Sequence, residues 1–290
     1  MTKIKEDKFL PPESPEIWFT EKHTNNCGIT FKVNKTLYSG RSKYQRIDIL
    51  ETPEFGRVML LDGLVMLTQK DEFVYHEMIT QIPLFTHKNP KSYLVIGGGD
   101  GGTVSRVALH PEIEKITEVE IDEDVVNVSK RFFPEIASGY NDRRTKLIID
   151  DGIKFIENSE SKYDIVTVDS TDPFGPAEGL FSEKFYNDIY NSLTDTGILT
   201  VQSETPFYDI DATKVIYKNL KKSFPIVRVY LAFIPTYPAG VWSFCLASKM
   251  YDPLIDFDEK RFSAVSLPLK YYNKQIHKAV FALPSVYNVF

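Results

Sequence analysis

Apolar and polar positions change their rhythm once along this chain, near residue 70. From Gly28 to Thr68 the period is two. Ile29-Thr30-Phe31-Lys32-Val33 alternates, and so does the stretch from Gln45 to Glu51. Alternation sends every second side chain to one face of a half-buried strand. A turn at Pro53-Glu54-Phe55-Gly56 follows. A strand over 57–61, the tight-turn dipeptide Asp62-Gly63 and a returning strand over 64–69 complete a small antiparallel sheet. Ahead of it, a polar start with Pro11, Pro12 and Pro15 reads as a loose lead-in.

After residue 70 the pattern is helix and strand by turns. A helix starts at Asp71 and runs through Tyr75 and Met78 toward Phe85, with Pro83 ending or kinking it. Short apolar runs predict strands over 93–96, 115–120, 146–149, 164–169, 197–202, 227–232 and 242–247. Between them, helices are predicted over 103–109, 124–132, 151–158, 182–193 and 211–223. In the 182–193 helix, Phe185, Ile189 and Leu193 fall on one stripe. This alternation predicts an α/β fold: a Rossmann-like, doubly wound, mostly parallel sheet of the methyltransferase-like kind. The expected organisation is an antiparallel β domain over 1–70 and a Rossmann-like catalytic domain over 71–290.

The chemistry begins where the apolar run Tyr93-Leu94-Val95-Ile96 meets the turn Gly97-Gly98-Gly99-Asp100-Gly101-Gly102. Strand, glycine turn and helix form a nucleotide-type pocket at the carboxyl end of a parallel strand. Five glycines cost backbone entropy, so a turn that merely packs helix on strand is a poor account of them. The spacing of Gly97, Gly99 and Gly102 also fits a dinucleotide fingerprint. Asp100 argues against that, because a carboxylate there would repel a pyrophosphate; it suits a ligand carrying a cation.

Acids recur at the ends of the later strands. Glu120 stands 23 positions after Gly97, near the spacing at which an acid grips ribose hydroxyls. Asp150-Asp151-Gly152 follows the third strand and suits the flank of an adenine. Asp169-Ser170-Thr171-Asp172 follows the fourth. For Asp122 and Asp150 a helix N-cap is the better reading. For Asp100, Glu120, Asp151 and Asp169 together it is not, since capping does not explain an acid inside the glycine turn. The layout is an adenosine site continuing into an acidic pocket. The irregular 173–181 segment, with two prolines and two glycines, reads as a lid over it.

Composition narrows the partners. The net charge of −6 gives no nucleic-acid footprint and suits cationic small molecules. Cys27 and Cys245 are far apart and form no C-x-x-C pair, so they read as free thiols in a reducing compartment, with no metal site. With no run of eighteen apolar residues and no signal peptide at the start, no membrane partner is expected, and the location expected is cytoplasmic.

These residues now match a family. The chain resembles the polyamine aminopropyltransferases, spermidine synthases among them. The resemblance is carried by Ser42-Lys43-Tyr44-Gln45, Phe55-Gly56-Arg57-Val58, Leu61-Asp62-Gly63 and the run from Asp71 to Met78. It continues through the glycine turn, Val119-Glu120-Ile121-Asp122, Asp150-Asp151-Gly152 and Asp169-Ser170-Thr171-Asp172-Pro173, then the runs from Ile234 to Gly240 and from Tyr271 to Asn273. It implies transfer of an aminopropyl group from decarboxylated S-adenosylmethionine to putrescine, giving spermidine and methylthioadenosine. It places Asp169 as the base. Around the sulfonium nucleoside it places Gln45, His76, Asp100, Glu120, Asp151, Gly152 and Pro176. Tyr75, Asp172 and Tyr237 would line the diamine channel. No cofactor is implied, since the donor is a co-substrate, and a homodimer or homotetramer is expected. One departure follows the glycine turn: where many members carry Leu-Arg-Glu, this chain has Val104-Ser105-Arg106. It is expected to bear on the outer packing of the first helix and not on the pocket acid.

The chemistry agrees with the resemblance. An alkyl amine near the lysine value of about 10.4 arrives as an ammonium and needs an acceptor for its proton. Asp169 fits that role, and Asp100 fits the ammonium of the donor's three-carbon arm. Tyr75 and Tyr237 offer ring faces to cations. Read alone, Tyr75 would be a core residue and His76 a surface or capping histidine. Three rivals remain. A methyltransferase shares the sheet and the ribose acid but gives no reason for Asp169 and Asp172. A nicotinamide dehydrogenase is disfavoured by Asp100, and a polyamine-binding protein without turnover by Asp169.

Overall fold

The computed structural model describes residues 15–171, 175–287 and 290, so the expected lead-in falls almost wholly outside the described residues. Two antiparallel sheets come first. β1 (Ile17–Lys22) pairs with β2 (Gly28–Val33). β3 (Lys35–Arg41), β4 (Arg46–Thr52), β5 (Gly56–Leu61) and β6 (Leu64–Thr68) form a four-stranded meander. Asp62 and Gly63 both take positive φ, which matches the twist of a two-residue hairpin and pairs Leu61 with Leu64. Alternation then divides the meander's apolar side chains between two faces. Leu50, Val58, Leu60 and Val65 meet Phe31 and Val33 of β2. Ile47, Ile49, Met59, Leu61 and Leu67 turn the other way, against Val125, Val128, Phe133 and Ile136.

α1 (Glu72–Thr86) follows, buried at every position except Phe73. It runs on past Pro83 to Thr86 and stops where His87 turns extended, so the proline sits in the last turn without ending the helix. The rest of the chain is β7 (Ser92–Gly97), α2 (Gly102–Ala108), β8 (Lys115–Glu120), α3 (Glu123–Phe132), β9 (Thr145–Ile149), α4 (Gly152–Glu157), β10 (Tyr163–Asp169), α5 (Glu183–Ser192), β11 (Leu193–Gln202), α6 (Ile210–Ser223), β12 (Ile226–Phe233) and β13 (Val241–Ser248). Its strands form one seven-stranded sheet in the order β12-β13-β11-β10-β7-β8-β9. All pairs are parallel except those of β13, which runs antiparallel to β11 and β12. This is the expected doubly wound α/β sheet behind antiparallel strands.

Strand order reverses between β7 and β10, the crevice where open α/β sheets bind ligands. There Gly97 lies directly across from Asp169. Two short helices follow, α7 (Glu259–Ala264), which packs against α1, and α8 (Lys274–Ala279). Phe262 and Tyr272 pack on Phe85. Buried Glu77 on α1 accepts from the backbone N–H groups of Lys270, Tyr271 and Tyr272 at 2.8–2.9 Å, so one carboxylate satisfies three donors.

Candidate active site

The glycine turn is shaped by what stands beside it. Gly97 has φ +82°, and a Cβ there would lie 2.1 Å from the carbonyl oxygen of Asp169. That closeness lets Gly98 N–H donate to the same carbonyl at 2.8 Å, joining β10 to the turn. At Gly102 a Cβ would lie 2.2 Å from the ring of His76. The turn thus admits a strand end on one side and a buried imidazole on the other.

Asp169, the last residue of β10, is held by two hydroxyls. Tyr75 donates to Oδ1 at 2.7 Å and Thr103 to Oδ2 at 2.6 Å. Burial and the charge of Asp100 raise its proton affinity, against the pull of His76 and the two hydroxyls. Asp100 accepts from Gly102 N–H at 2.6 Å and stands 3.3 Å from His76 Nε2. The other ring nitrogen of His76 is 2.7 Å from Glu72 Oε2. Burial opposes a charge on this ring, but Asp100 and Glu72 overcome it and lift the imidazole to about 10.

Glu120 ends β8 beneath the turn. It accepts from Gly99 N–H at 3.2 Å and Asp122 N–H at 2.8 Å. Burial pushes its carboxyl up to about 7 despite those donors. Asp122 caps α3 as expected, and also accepts from Ser42 at 2.6 Å and from Gln45 Nε2 at 3.0 Å. Gln45 is thereby fixed at the rim from the antiparallel side. Asp150 does not cap the following helix. Asp151 does, accepting from Ile153 N–H at 2.9 Å, while Asp150 is exposed and accepts from Asp151 N–H. Tyr237 donates to Met66 O at 2.6 Å, and its ring centroid lies 5.9 Å from that of Tyr75.

These groups enclose a cavity of about 290 Å³. Gln45, Tyr75, His76, Asp100, Glu120, Asp151, Gly152, Asp169 and Tyr237 all line it. Tyr75 is therefore both a core residue and a wall of the site. Asp172 lies outside the described residues, as does the side chain of Pro176. The expected lid falls partly outside them too; its described part includes a 3₁₀ turn over Gly175–Phe181, from which Ala177 and Leu180 reach the cavity. A smaller chamber of about 70 Å³ shares Tyr75, Ser170, Thr171 and Tyr237 with the first and adds Glu21, Gln202 and Glu204. Among the described residues no group of three or more His, Cys, Asp or Glu is placed to hold a metal. No described helix is long and apolar enough to cross a membrane.

Sequence reasoning missed several of these groups. Thr103 follows the glycine turn and Glu72 stands one helical turn before His76, so spacing offered a signal for both. Glu21, on β1, and Glu204, beyond β11, carry no local signal.

The spermine/spermidine synthase domain matches residues 72–259. The chain belongs to this family. Its N-terminal residues 17–69 match the spermidine synthase tetramerisation domain. A polyamine aminopropyltransferase of Caldicellulosiruptor saccharolyticus is 48% identical over 270 residues, covering 93% of this chain and 96% of the relative. One from Clostridium beijerinckii is 47% identical over 272 residues, with coverage of 93% and 96%. A spermidine synthase solved with the transition-state analogue AdoDATO superposes with a TM-score of 0.92 at 42% identity, covering 97% of this chain and 96% of that one. Spermidine synthase from Thermotoga maritima gives 0.90 at 42% identity, with coverage of 98% and 97%. The chain is accordingly an enzyme of the polyamine aminopropyltransferase class.

Proposed function

We propose that the chain transfers the aminopropyl group of decarboxylated S-adenosylmethionine to putrescine, with Asp169 as the general base. The observation that carries this reading is the pairing of Asp169 and Asp100 at the switch point of the sheet, with two tyrosine rings beside them. Two carboxylates in one desolvated wall suit a ligand pair carrying several positive charges. The donor's ribose lies on Glu120, and its adenine between Asp151–Gly152 and the 175–181 turn. Its sulfonium and terminal ammonium face Asp100. Gln45 closes the rim, and Pro176 and Asp172 keep the places the resemblance gives them.

The acceptor's methylenes run between Tyr75 and Tyr237. Its far ammonium lies in the small chamber with Glu21 and Glu204. The near amine loses a proton to Asp169, whose burial brings it closer to the amine in proton affinity. The amine's lone pair then forms the new N–C bond as the C–S bond breaks. The electron pair of that bond goes to sulfur, which leaves as the neutral thioether of methylthioadenosine. The reading needs no cofactor beyond the co-substrate and no metal, keeps the division at residue 70, and takes the N-terminal strands as the contact of a homodimer or homotetramer.

Mass spectrometry of two mixtures is the test: enzyme and putrescine with the decarboxylated donor, and the same with S-adenosylmethionine. From the first, spermidine and methylthioadenosine are expected in equal amounts. Binding without product would leave a polyamine-binding protein, and a methylated product from S-adenosylmethionine would revive the methyltransferase.

A further inference from the structure

The departure after the glycine turn has an unexpected reach. Ser105 faces inward, donating to Ile136 O and accepting from Gly139 N–H at 2.7 Å. Arg106 crosses to α1, where its Nη2 donates to both oxygens of Glu72, at 3.0 and 3.2 Å. Glu72 meets His76 Nδ1, and His76 Nε2 meets Asp100 Oδ1. Four alternating charges therefore run from the half-buried Arg106 to the cavity: guanidinium, carboxylate, imidazole, carboxylate.

We propose that Glu72, anchored by Arg106, is a positioning residue that keeps His76 doubly protonated, so that His76 holds the Asp100 carboxylate in place for the donor. A neutral imidazole has one N–H and one lone pair. Between two carboxylates, the lone pair of such a ring would face an anion and push it away. Only the imidazolium donates to both. The groups facing His76 support a cation: Glu72 and Tyr75 on α1, Asp100 in the glycine turn, and Asp169 at the end of β10. Arg106 from α2 and Lys270 from the C-terminal segment lie near enough to Glu72 to lower its carboxyl. Glu72 itself is buried, yet His76 and Arg106 hold its carboxyl below the usual range, so it stays ionised. With Arg106 the chain of four sums to zero charge, which is the condition for burying it at low cost.

The inference rests on the proposed role of Asp100 in donor binding, and the test separates the two. Imidazole nitrogen shifts of labelled histidine, with the His76 signal assigned by its loss in His76→Gln, read the charge directly. In the parent, His76 is expected to stay doubly protonated through about pH 8, well past the ordinary histidine value of about 6.5. In Glu72→Gln it should lose a proton inside that range. Relative to the parent's, the variant's affinity for decarboxylated S-adenosylmethionine should then fall about tenfold for each pH unit above its lowered His76 value. In the parent it should not fall. Arg106→Gln keeps the Glu72 carboxylate and serves as a control for packing damage; its profile should follow the parent's. A neutral His76 in the parent at about pH 8 overturns the proposal whether or not the variants fold. So does an unshifted titration in Glu72→Gln, or the same pH-dependent loss in Arg106→Gln. Methylthioadenosine lacks the ammonium. If its affinity follows the donor's in Glu72→Gln while the nitrogen shifts behave as expected, the charge chain stands and the Asp100 assignment falls.

Discussion

Asp169→Asn is the sharpest single-residue change available. The asparagine oxygen still accepts one of the hydroxyls from Tyr75 and Thr103, and its amide donates to the other. The geometry therefore survives while the proton acceptor is lost. Turnover should fall about 10²- to 10⁴-fold with donor affinity nearly unchanged. Steady-state rates with calorimetry on the same variant check both halves; an equal loss of affinity would make Asp169 chiefly a binding group. Glu120 offers a different readout. Burial pushes its carboxyl up to about 7, and on the proposed reading only the ionised form would accept from two ribose hydroxyls. Methylthioadenosine should bind about tenfold more tightly at about pH 8 than at about pH 6, with a proton released on binding. Glu120→Gln should bind weakly and without that pH dependence. A pH-dependence that persists in the variant would move the ribose contact elsewhere. Read from the pattern alone, both acids stand out because each ends an apolar run. His76 came only from the resemblance, since its setting comes from Glu72 and Asp100 meeting it from two directions.

At the scale of elements, legibility followed burial. The strands of the central sheet are apolar runs bounded by polar turns, and they lie where the pattern put them to within a few residues. β1 and β3 carry no such pattern. Ile17 and Trp18 are 62% and 55% exposed, and β3 is a polar edge, so neither buries an alternating face. α7 and α8 are six residues each, too short for a helical period to show. α1 reaches the end expected near Phe85, but Pro83 does not end it: a helix buried nearly all round is held by packing, and one proline in its last turn does not stop it. The glycine turn was legible as a turn, and its cause is measurable. Gly63 and Gly97 both have positive φ, but a Cβ at Gly63 meets nothing within 4 Å. Gly63→Ala should thus cost only the left-handed strain of about 1–2 kcal/mol. Gly97→Ala adds a collision with backbone and should cost clearly more, with donor binding lost as β10 and the turn part. Denaturant titrations of the two variants compare them; equal losses would mean that the turn is not set by its approach to Asp169.

At the scale of the whole molecule, the groups whose proton affinity is raised at the site act against groups shifted elsewhere, and together they set how stability depends on pH. Burial raises Glu118, Glu120 and Asp169, so the folded chain holds protons that the unfolded chain sheds above about pH 4. His76, lifted to about 10, adds another that the unfolded chain sheds above about 6.5. The stability each gives is complete below its unfolded value and lost as pH rises through its folded value. Other groups act in the acid range. Burial holds His87 and His277 down at about 4, and unfolding lets them take up protons below about 6.5. Glu112 and Asp142 lie at about 2, through their partners His110 and Arg144, and lose their contribution only as pH falls below the ordinary carboxylate range. Above about pH 6.5 the acid-range groups are therefore spent and the site groups alone remain. The unliganded enzyme should be most stable at or below about pH 6.5 and lose stability toward pH 9, by about 1.4 kcal/mol per pH unit for each proton that only the folded chain holds; His76 supplies one and the buried acids add to it. Denaturant unfolding across that range, repeated on His76→Gln, measures it; the variant's slope should be shallower. A parent whose stability rises between about pH 7 and 9 would contradict the buried, proton-holding site described here. Cationic ligands should reverse the trend, because they bind the ionised acids. Decarboxylated S-adenosylmethionine should therefore raise the melting temperature more at about pH 8 than at about pH 6, tying the electrostatics of the empty fold to the charge of what it binds.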